Sequence, residues 1–288
     1  MKKILRRIYY SIIKFLPAKF VINIENILSY KRLFNKDTPQ YFGEKIQWLK
    51  LYGNLEQYTD LVDKYKVREY IAKEIGEEYL IPLINIYNTP EEIDYNKLPN
   101  SFVLKVNHGS GYNIIVKDKS KIDISKINNQ LNKWLKEDYS QIKKEFQYKN
   151  VKRKIICEEF INDKNGQLID YKFFCFDGKP EFIKVDFDRF TTHKANIYSP
   201  DWKLLELSVK GQANYKGDCP KPINYKKMLT ISKKLCRKFQ FIRVDLYNVD
   251  GKIYFGELTF TPASGIHPFY PLEKDLKIAE RIKLNHEK

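Results

Sequence analysis

Residues 241–265 read F-I-R-V-D-L-Y-N-V-D-G-K-I-Y-F-G-E-L-T-F-T-P-A-S-G. Two β-rich runs flank Asp250-Gly251, a dipeptide that favours a tight hairpin turn. A three- or five-residue loop, or a bulge at Gly251, would put four polar side chains of the two strands on one face. Those side chains are Arg243, Asp245, Glu257 and Thr259.

Two carboxylates and a hydroxyl among apolar neighbours are costly to bury unless they bind something. Mg²⁺ is a suitable ion for such a site, because proteins bind it through one or two carboxylates together with substrate phosphates. The alternative is an edge hairpin whose charged side chains simply face water. The hairpin alone leaves both interpretations open, so the rest of the chain has to decide between them.

The composition points to a basic globular protein. A length of 288 residues allows one large α/β domain, or two or three subdomains around a cleft. The net charge of +16 favours anionic partners such as nucleotides, phosphates, acidic glycans or an anionic membrane. Lys and Arg are spread along the chain without a nucleic-acid-binding signature, so no nucleic acid is expected. The four cysteines form no CxxC pair, which suits a reducing cytoplasm. The oligomeric state stays open.

The first 36 residues are predicted to form basic helices. The apolar run from Ile8 to Leu16 contains Lys14, is too short to span a bilayer, and has no small-residue cleavage site after it. Two interpretations remain for this region. It packs on the domain as an ordinary helix, or it lies on an anionic cytoplasmic membrane as an interfacial helix.

Hydrophobic periodicity divides the remainder into four regions. Helices are predicted at 42–51, 59–75, 127–139 and 225–239. Strands at 102–106 and 114–116, with the helix that follows, predict a small α+β unit at 101–150. Strands within 154–188 and 241–261 predict a larger antiparallel sheet at 151–272, with a cleft between the two units. A helical region at 37–100 precedes them, and a tail at 273–288 follows.

Three further motifs carry chemistry. In K-V-N-H-G-S-G-Y-N at 105–113, two glycines let backbone N–H groups approach an anion, although an ordinary hairpin loop is the competing interpretation. In I-I-C-E-E-F-I at 155–161, the end of an apolar strand could bind an adenine edge, although paired glutamates before a turn are common. In D-Y-K-F-F-C-F at 170–176, Lys172 either reaches solvent or meets an anion such as phosphate.

In this order and spacing, the motifs resemble the ATP-grasp superfamily. Together with D-K-Y-K-V-R at 63–68 and the helical region around Trp48, they are most similar to the TupA-like ATP-grasp branch over residues 37–272. The resemblance implies an α+β ATP-grasp fold with an N-terminal helical region. ATP and Mg²⁺ would lie between a small α+β subdomain and a larger antiparallel sheet.

The resemblance also implies roles for individual residues. Lys105 and Lys172 would contact the ATP phosphates, and Lys172 is also a catalytic candidate. Asp245 and Glu257 would bind Mg²⁺, with Arg243 as the catalytic residue beside the acyl phosphate. Thr259 stands where the superfamily usually has Asn, and a hydroxyl is a weaker ligand. The loop that closes over ATP would comprise His108, Gly109, Ser110 and Gly111. The adenine hinge would comprise Glu158, Glu159, Phe160 and Ile161.

The implied activity is an ATP-dependent carboxylate-amine ligase that forms an amide through an acyl phosphate. Its substrates would be a uronic acid or amino acid component of a capsular or cell-surface polysaccharide and an amine. The implied location is the cytoplasm, with peripheral contact to the inner face of the membrane. Two alternatives remain: an ATP-grasp-type sugar kinase, and a glycosyltransferase, for which Asp186-Phe187-Asp188 is a formal DxD match.

Overall fold

The computed structural model describes residues 9, 10, 12–164, 166, 168–187, 193–217 and 219–284. The α-helices are α1 (Ala18–Tyr30), α2 (Phe42–Tyr52), α3 (Thr59–Val62), α4 (Val67–Glu74), α5 (Ile124–Lys136), α6 (Tyr139–Lys143), α7 (Tyr225–Cys236) and α8 (Leu272–Ala279). The strands are β1 (Leu83–Tyr87), β2 (Phe102–Val106), β3 (Asn113–Val116), β4 (Ile155–Glu159), β5 (Asp170–Phe176), β6 (Lys179–Phe187), β7 (Lys194–Tyr198), β8 (Ser208–Val209), β9 (Phe241–Val249), β10 (Lys252–Thr259) and β11 (Phe269–Tyr270). Short 3₁₀ turns lie at Leu55–Tyr58, Glu77–Tyr79, Pro90–Glu92, Tyr95–Lys97, Lys119–Lys121, Phe146–Tyr148 and Pro262–Gly265.

The smaller sheet has the strand order β1-β4-β2-β3, and all of its pairs are antiparallel. Its apolar face packs against α5, with Leu104 and Leu131 buried in the shared core. The sequence assigned β4 to the larger sheet, and that assignment is wrong. A run such as Ile155–Cys157 is apolar enough for either sheet, and it is the pairing with β2 that places it here.

The larger sheet has the strand order β10-β9-β5-β6-β7, again antiparallel. Side chains alternate between its two faces along each strand. Phe173 and Val244 point into the core beneath α7, together with Met228 of that helix. The neighbouring positions in sequence, including Lys172 and Asp245, therefore point to the opposite face, which borders the cleft. The predicted α+β fold class is confirmed.

The N-terminal helices are tied to the larger subdomain by buried polar contacts. Gln47 of α2 donates to Glu25 of α1 at 3.1 Å, and Asn26 donates to Glu44 at 3.0 Å. Helix α2 packs in turn on Pro262–Gly265, the turn that follows the hairpin. In the described part of the chain, no helix is both long and apolar enough to cross a membrane.

The single helix predicted at 59–75 is broken into α3 and α4. Asp63 ends α3, and its carboxylate accepts hydrogen bonds from the backbone N–H groups of Tyr65 and Lys66 at 2.8 and 3.3 Å. A short acidic side chain that captures nearby N–H groups competes with continued helix. The break turns Lys64 toward the glycine loop, where its ammonium group donates to the carbonyl oxygen of Gly109.

Candidate active site

The hairpin of β9 and β10 turns at Asp250 and Gly251. Their φ values of 50° and 94° are those of a two-residue turn that matches the twist of the strands. The ladder shifts by one residue further along, at Gly256. The bulge predicted at Gly251 therefore lies at Gly256, where an added Cβ would stand 3.1 Å from the carbonyl oxygen of Asp245. Glycine suits this close backbone approach.

The bulge determines which side chains share the cleft face. It brings Glu257 opposite Asp245 and Thr259 opposite Arg243. Arg243 donates to both carboxylate oxygens of Asp245, at 2.6 and 2.7 Å. The same guanidinium reaches Glu257 at 2.7 Å and Thr259 at 3.0 Å. The four polar residues that opened the sequence argument thus form one hydrogen-bonded network, which we call the hairpin cluster.

The hairpin cluster continues as a row across the larger sheet. Asp245 is paired in register with Lys172 of β5, and Lys172 with Lys184 of β6. With Glu257 on β10, the row runs over four neighbouring strands, spaced by about 4.8 Å per step. Two carboxylates are followed by two ammonium groups, so the sheet face changes from a cation-binding end to an anion-binding end.

Two aspartates, each two residues from a lysine on the same strand, hold this charged row in place. Lys172 forms ion pairs with Asp170 and with Asp186, the latter at 2.6 Å, and Lys184 also pairs with Asp186. Asp170 and Asp186 are opposite each other in the ladder. All four side chains are buried. Buried charges of both signs need such mutual pairing, because an isolated one would be costly to desolvate.

The burial of this cluster shifts several pKa values. Burial raises the pKa of Asp245 to about 7, although Arg243 and Lys172 favour its charged form. Burial also lowers the pKa of Lys184 to about 8, with Asp186 acting in the opposite direction. Burial opposes the charge on Arg243, but Asp245 and Glu257 more than compensate and raise its pKa. Ionisable groups with perturbed pKa values in a cleft are typical of functional sites.

A cavity of about 230 Å³ lies between the two sheets, on the outer side of the hairpin cluster. Lys105, Ser110 and Glu158 line it from the smaller subdomain. Asp245 and Glu257 line it from the larger one. Its lining also includes Lys64, Val67, Arg68, Leu80, Ile81, Gly111, Tyr112, Asn113, Tyr247, Phe255 and Gly256. An apolar part and a cationic part within one cavity suit a nucleotide, which has a flat base and charged phosphates.

Glu158 is the acidic centre of the smaller subdomain's side of this cavity. Lys105 reaches one of its oxygens at 2.5 Å, and Arg68 reaches the other at 3.2 Å. Arg68 also donates to the carbonyl oxygen of Ile81 at 3.0 Å, which fixes its position. Lys105 and Arg68 therefore share one carboxylate as their counterion. A bound phosphate could pair with both of these cations.

The four predicted hinge residues occupy different positions. Glu158 lines the cavity, whereas the Glu159 side chain is exposed and its backbone N–H donates to the carbonyl oxygen of Pro82 at 3.0 Å. Phe160 and Ile161 follow β4 without joining the sheet. The structure therefore places the first hinge residue at the cavity, while Glu159, Phe160 and Ile161 do not belong to its described lining.

The glycine loop has a fixed half and an open half. His108 and Gly109 are buried, and a Cβ on Gly109 would meet the ring of Tyr139 at 2.7 Å. Burial lowers the pKa of His108 to about 4, so its imidazole is neutral at physiological pH. Ser110 and Gly111 are exposed and line the cavity. Of the four loop residues predicted to cover ATP, these two can reach a ligand directly.

Two cationic residues at this site were missed as site residues from sequence. Lys64 donates to the carbonyl oxygen of Gly109 and lines the cavity, and burial lowers its pKa. Its neighbour Asp63 accepts a hydrogen bond from Asn107 at 2.9 Å, so the turn after α3 is fastened to the glycine loop at two points. Arg68 is the second missed residue. Both residues lie in the segment 63–68, which contributed to the family resemblance. That segment contains no recognised chemical motif that would mark them as site residues.

A second cavity of about 350 Å³ lies on the other side of the hairpin cluster. Its charged lining residues are Lys172, Lys184, Lys210 and Arg243, with His193 and His267 beside them. Lys172, which was predicted to contact ATP phosphates, lines this second cavity and lies between Asp245 and Lys184 on the same sheet face. Its contact with ATP stays a prediction. The lining is thus cationic, with the compensating aspartates set behind it.

Asp186, the first aspartate of the formal DxD match, is fully engaged inside β6. It pairs with Lys172 and Lys184, and His193 contacts it at 2.8 Å. Lys172 holds the pKa of Asp186 well below its usual range, although burial acts against the charge. Asp188 lies outside the described residues. An aspartate held by two lysines within a strand is a poor metal ligand, which weakens the glycosyltransferase alternative.

Mg²⁺ fits the hairpin cluster as part of a site completed by a ligand. Asp245 and Glu257 offer carboxylate oxygens and Thr259 a hydroxyl, which are the hard donors that Mg²⁺ prefers. Within the described ranges, no group of three or more His, Cys, Asp or Glu side chains could hold a metal by itself. Phosphate oxygens would therefore have to share the coordination. Arg243 already bridges the two carboxylates, so a metal would compete with it for their oxygens.

Known proteins resemble this chain in sequence and in structure. A family model described as TupA-like ATPgrasp matches residues 44–283. The D-alanine-D-alanine ligase from Helicobacter pylori superposes with a TM-score of 0.43 at 18% identity, over 83% of this chain and 67% of that one. A RimK domain ATP-grasp protein from Sphaerobacter thermophilus gives 0.42 at 11%, over 79% and 69%. An N5-carboxyaminoimidazole synthase from Aspergillus clavatus gives 0.39 at 14%, over 70% and 44%. None of the curated proteins matches the chain in sequence.

Proposed function

This chain belongs to the TupA-like ATP-grasp family, and we propose that it joins a carboxylate to an amine while ATP is converted to ADP and phosphate. The acid is activated as an acyl phosphate, and the amine then displaces phosphate to form an amide. The proposed acid is a uronic acid or amino acid component of a capsular or cell-surface polysaccharide.

The observation that carries the proposal is the position of the hairpin cluster between two cavities. Asp245 and Glu257 line the cavity that suits a nucleotide. Arg243 and Lys172 line the cationic cavity on the other side. Since Arg243 contacts both Asp245 and Glu257, a nucleotide in the first cavity and an acid in the second would meet at this residue. A kinase needs a similar arrangement, so the test below separates the two activities.

In the proposed first step, a carboxylate oxygen of the acid attacks the γ-phosphorus of ATP, and the bond to the bridging oxygen of ADP breaks. In this proposal Lys64 and Lys105 bind the phosphates, and Arg243 holds the carboxylate and neutralises the charge that develops in transfer. Mg²⁺, when bound, neutralises further charge on the phosphate oxygens. The chain itself needs no covalent nucleophile, since alignment of the two substrates supplies much of the acceleration.

In the second step, the amine attacks the acyl carbon and the bond from that carbon to the phosphate oxygen breaks. Inorganic phosphate leaves with one oxygen that came from the acid, and it takes up the proton lost by the amine. Exclusion of water from the site would protect the acyl phosphate from hydrolysis. The proposed neighbours of the acyl phosphate, Lys172 and Arg243, are both paired with buried carboxylates.

The charge of the second cavity supports an acidic acyl substrate. Lys184 and Lys210 line it in addition to the residues at the reacting end. One carboxylate can be held by Arg243, so further cations would suit a second anionic group on the same molecule. Acidic glycan components and dicarboxylic amino acids both meet this requirement. The polysaccharide role further implies that the chain acts near the inner face of the membrane and contacts it peripherally through the N-terminal region.

An ADP-release assay tests this proposal. Glucuronic acid is incubated with ATP, Mg²⁺ and each of a panel of amino acids and amino alcohols, and the same panel is repeated with glutamate as the acid. We expect ADP release that requires both an acid and an amine. Asp245→Asn and Glu257→Gln should each lower the rate about a hundredfold or more. Asp201→Asn, a change at an exposed carboxylate outside both cavities, should leave it unchanged.

Other outcomes would assign a different activity. ADP release with a sugar alone, together with a phosphorylated sugar, would mean a kinase. Turnover of a UDP-sugar without ATP would mean a glycosyltransferase. Wild-type rates in both hairpin variants would show that Asp245 and Glu257 do not take part in catalysis.

A further inference from the structure

The N-terminal region presents an exposed apolar surface that the proposed catalytic reaction does not use. Ten large apolar side chains are strongly exposed in the described residues, and six of them lie between positions 12 and 33. They are Ile12, Phe15, Phe20, Ile27, Leu28 and Leu33. Phe15 is 80% exposed and Leu28 is 61% exposed. Such a concentration of exposed apolar groups marks an interaction surface rather than chance scatter.

The orientation of α1 makes this surface a fixed feature. Phe20, Ile24 and Ile27 follow the i, i+4, i+7 spacing of one helix face. On the opposite face, Glu25 and Asn26 are buried and contact α2 through Gln47 and Glu44. The buried polar contacts decide which way α1 faces, so its apolar stripe points outward even though the helix is firmly packed. Helix α1 is therefore packed on one face and exposes apolar side chains on the other.

Cationic side chains surround the apolar surface. Residues 1–36 contain nine Lys and Arg against a single carboxylate, Glu25, and that carboxylate is buried against α2. Lys14, Lys19 and Lys31 are exposed among the apolar residues. Phe15 borders a shallow cavity that also contains Lys133 and Lys136 of α5. Glu137 and Asp138 lie there as well, but Lys133 is 3.9 Å from Glu137, and Asp138 caps α6 by accepting from the Gln141 N–H.

We propose that residues 12–33 form a docking surface for the anionic phospholipid bilayer, into whose interface the exposed Phe and Leu side chains insert. An apolar stripe within a lysine-rich rim is the arrangement that binds the headgroup boundary of acidic membranes. A second copy of this chain is a poorer partner, because two surfaces rich in lysine on molecules of net charge +16 repel each other. The inference rests on the surface alone and names the partner for the peripheral contact that the proposed function implies.

Vesicle sedimentation of the full chain tests the docking surface. One set of vesicles is phosphatidylcholine alone, and the other is phosphatidylcholine mixed with phosphatidylglycerol. We expect binding to the mixed vesicles, weakened by added salt, and little binding to the neutral ones. The double variant Phe15→Ser with Phe20→Ser should lower the partition coefficient at least tenfold. Its matched control is Leu204→Ser with Ile223→Ser, at two equally exposed apolar positions elsewhere, which should leave it unchanged.

The charged rim is tested in the same way. Neutralising Lys14, Lys19 and Lys31 to Gln should lower the partition coefficient about a hundredfold, since each lysine near an acidic surface accounts for about a fivefold effect. The same change at Lys226, Lys233 and Lys234 of α7, which are also exposed, should have a much smaller effect. Equal losses in the two triple variants would mean that net charge alone causes binding, and would overturn the proposal.

Three other results would also overturn it. One is the absence of binding to mixed vesicles, and another is equal binding to neutral vesicles. The third is a fall in molar mass by light scattering in the Phe15 and Phe20 variant without a change in vesicle binding, which would make the surface a self-association interface. ADP release without vesicles should be the same in this variant as in the wild type. The two tests are therefore independent. The chain could bind the mixed vesicles without showing ligase activity, or show ligase activity without binding the vesicles.

Discussion

Arg243 offers a sharp perturbation, because it holds together the whole hairpin cluster. The change is Arg243→Met, which keeps the length of the side chain and removes its charge. Asp245 is 2% exposed and would lose both of its guanidinium hydrogen bonds. Breaking a buried pair by removing one partner typically costs about 3 to 5 kcal/mol. We expect about 3 kcal/mol here, since Asp245 can take up a proton once its partner is gone.

The same variant should respond to Mg²⁺ in a distinctive way. In the wild type, Arg243 occupies oxygens of both Asp245 and Glu257, so a metal without nucleotide has to displace it. In the variant the guanidinium no longer competes with a cation for those oxygens. Binding to the folded state alone raises stability by about 2.7 kcal/mol at a hundred times the Kd. Mg²⁺ should therefore recover much of the lost stability in the variant, while it stabilises the nucleotide-free wild type less.

Urea unfolding with and without Mg²⁺ measures both effects. Arg68→Met is the matched control, because it removes another, partly buried, arginine from a carboxylate that keeps a second cation, Lys105. That control should lose about 1 kcal/mol and show no added response to Mg²⁺. The reasoning is refuted if Arg243→Met is as stable as the wild type, or if Mg²⁺ stabilises the variant no more than the wild type.

Three further predictions concern the surroundings of the hairpin cluster. Burial lowers the pKa of His108 to about 4 from 6.5, so the unfolded chain binds more protons between these values and stability falls as the pH falls through this window. The free energy of unfolding should fall by about 2 kcal/mol at a pH of about 5. In His108→Gln, urea unfolding should show a loss on acidification that is smaller by this amount. Lys64→Met should raise the KM for ATP by about tenfold or more, whereas Lys66→Met, at an exposed position of the same turn, should not. Lys184→Gln should raise the KM for the acid by about tenfold but not that for ATP, with Lys179→Gln on the same strand as the control.

Local patterns accounted for the strands and helices that define the fold. Alternation along β9 and β10 indicated which residues share a face, and the Asp250-Gly251 turn was readable because its chemistry lies within two residues. The bulge at Gly256 could not be predicted. A glycine in a strand indicates that another group comes close to the backbone, but it does not identify that group. Its meaning depends on the carbonyl of Asp245 across the ladder. Only the pairing of the strands reveals it.

The misplaced features share this non-local origin. β4 has the composition of either sheet, and its partner β2 lies about fifty residues earlier in the chain. A lysine in an apolar strand suits an anion, but only the ladder shows that Lys172 lies between Asp245 and Lys184 and borders the second cavity. Asp63 ends a helix that periodicity alone would continue. In each case the local sequence indicated the type of residue or element, and the tertiary pairing decided its neighbours.

The transfer of oxygen from acid to phosphate tests the central claim most directly. The acid identified by ADP release is labelled with oxygen-18 in its carboxylate and incubated with ATP, Mg²⁺ and the amine, and the released inorganic phosphate is analysed by mass spectrometry. Activation through an acyl phosphate predicts one labelled oxygen in each phosphate formed and one label lost from each amide. Unlabelled phosphate, or a phosphate that stays on the product, would contradict the account.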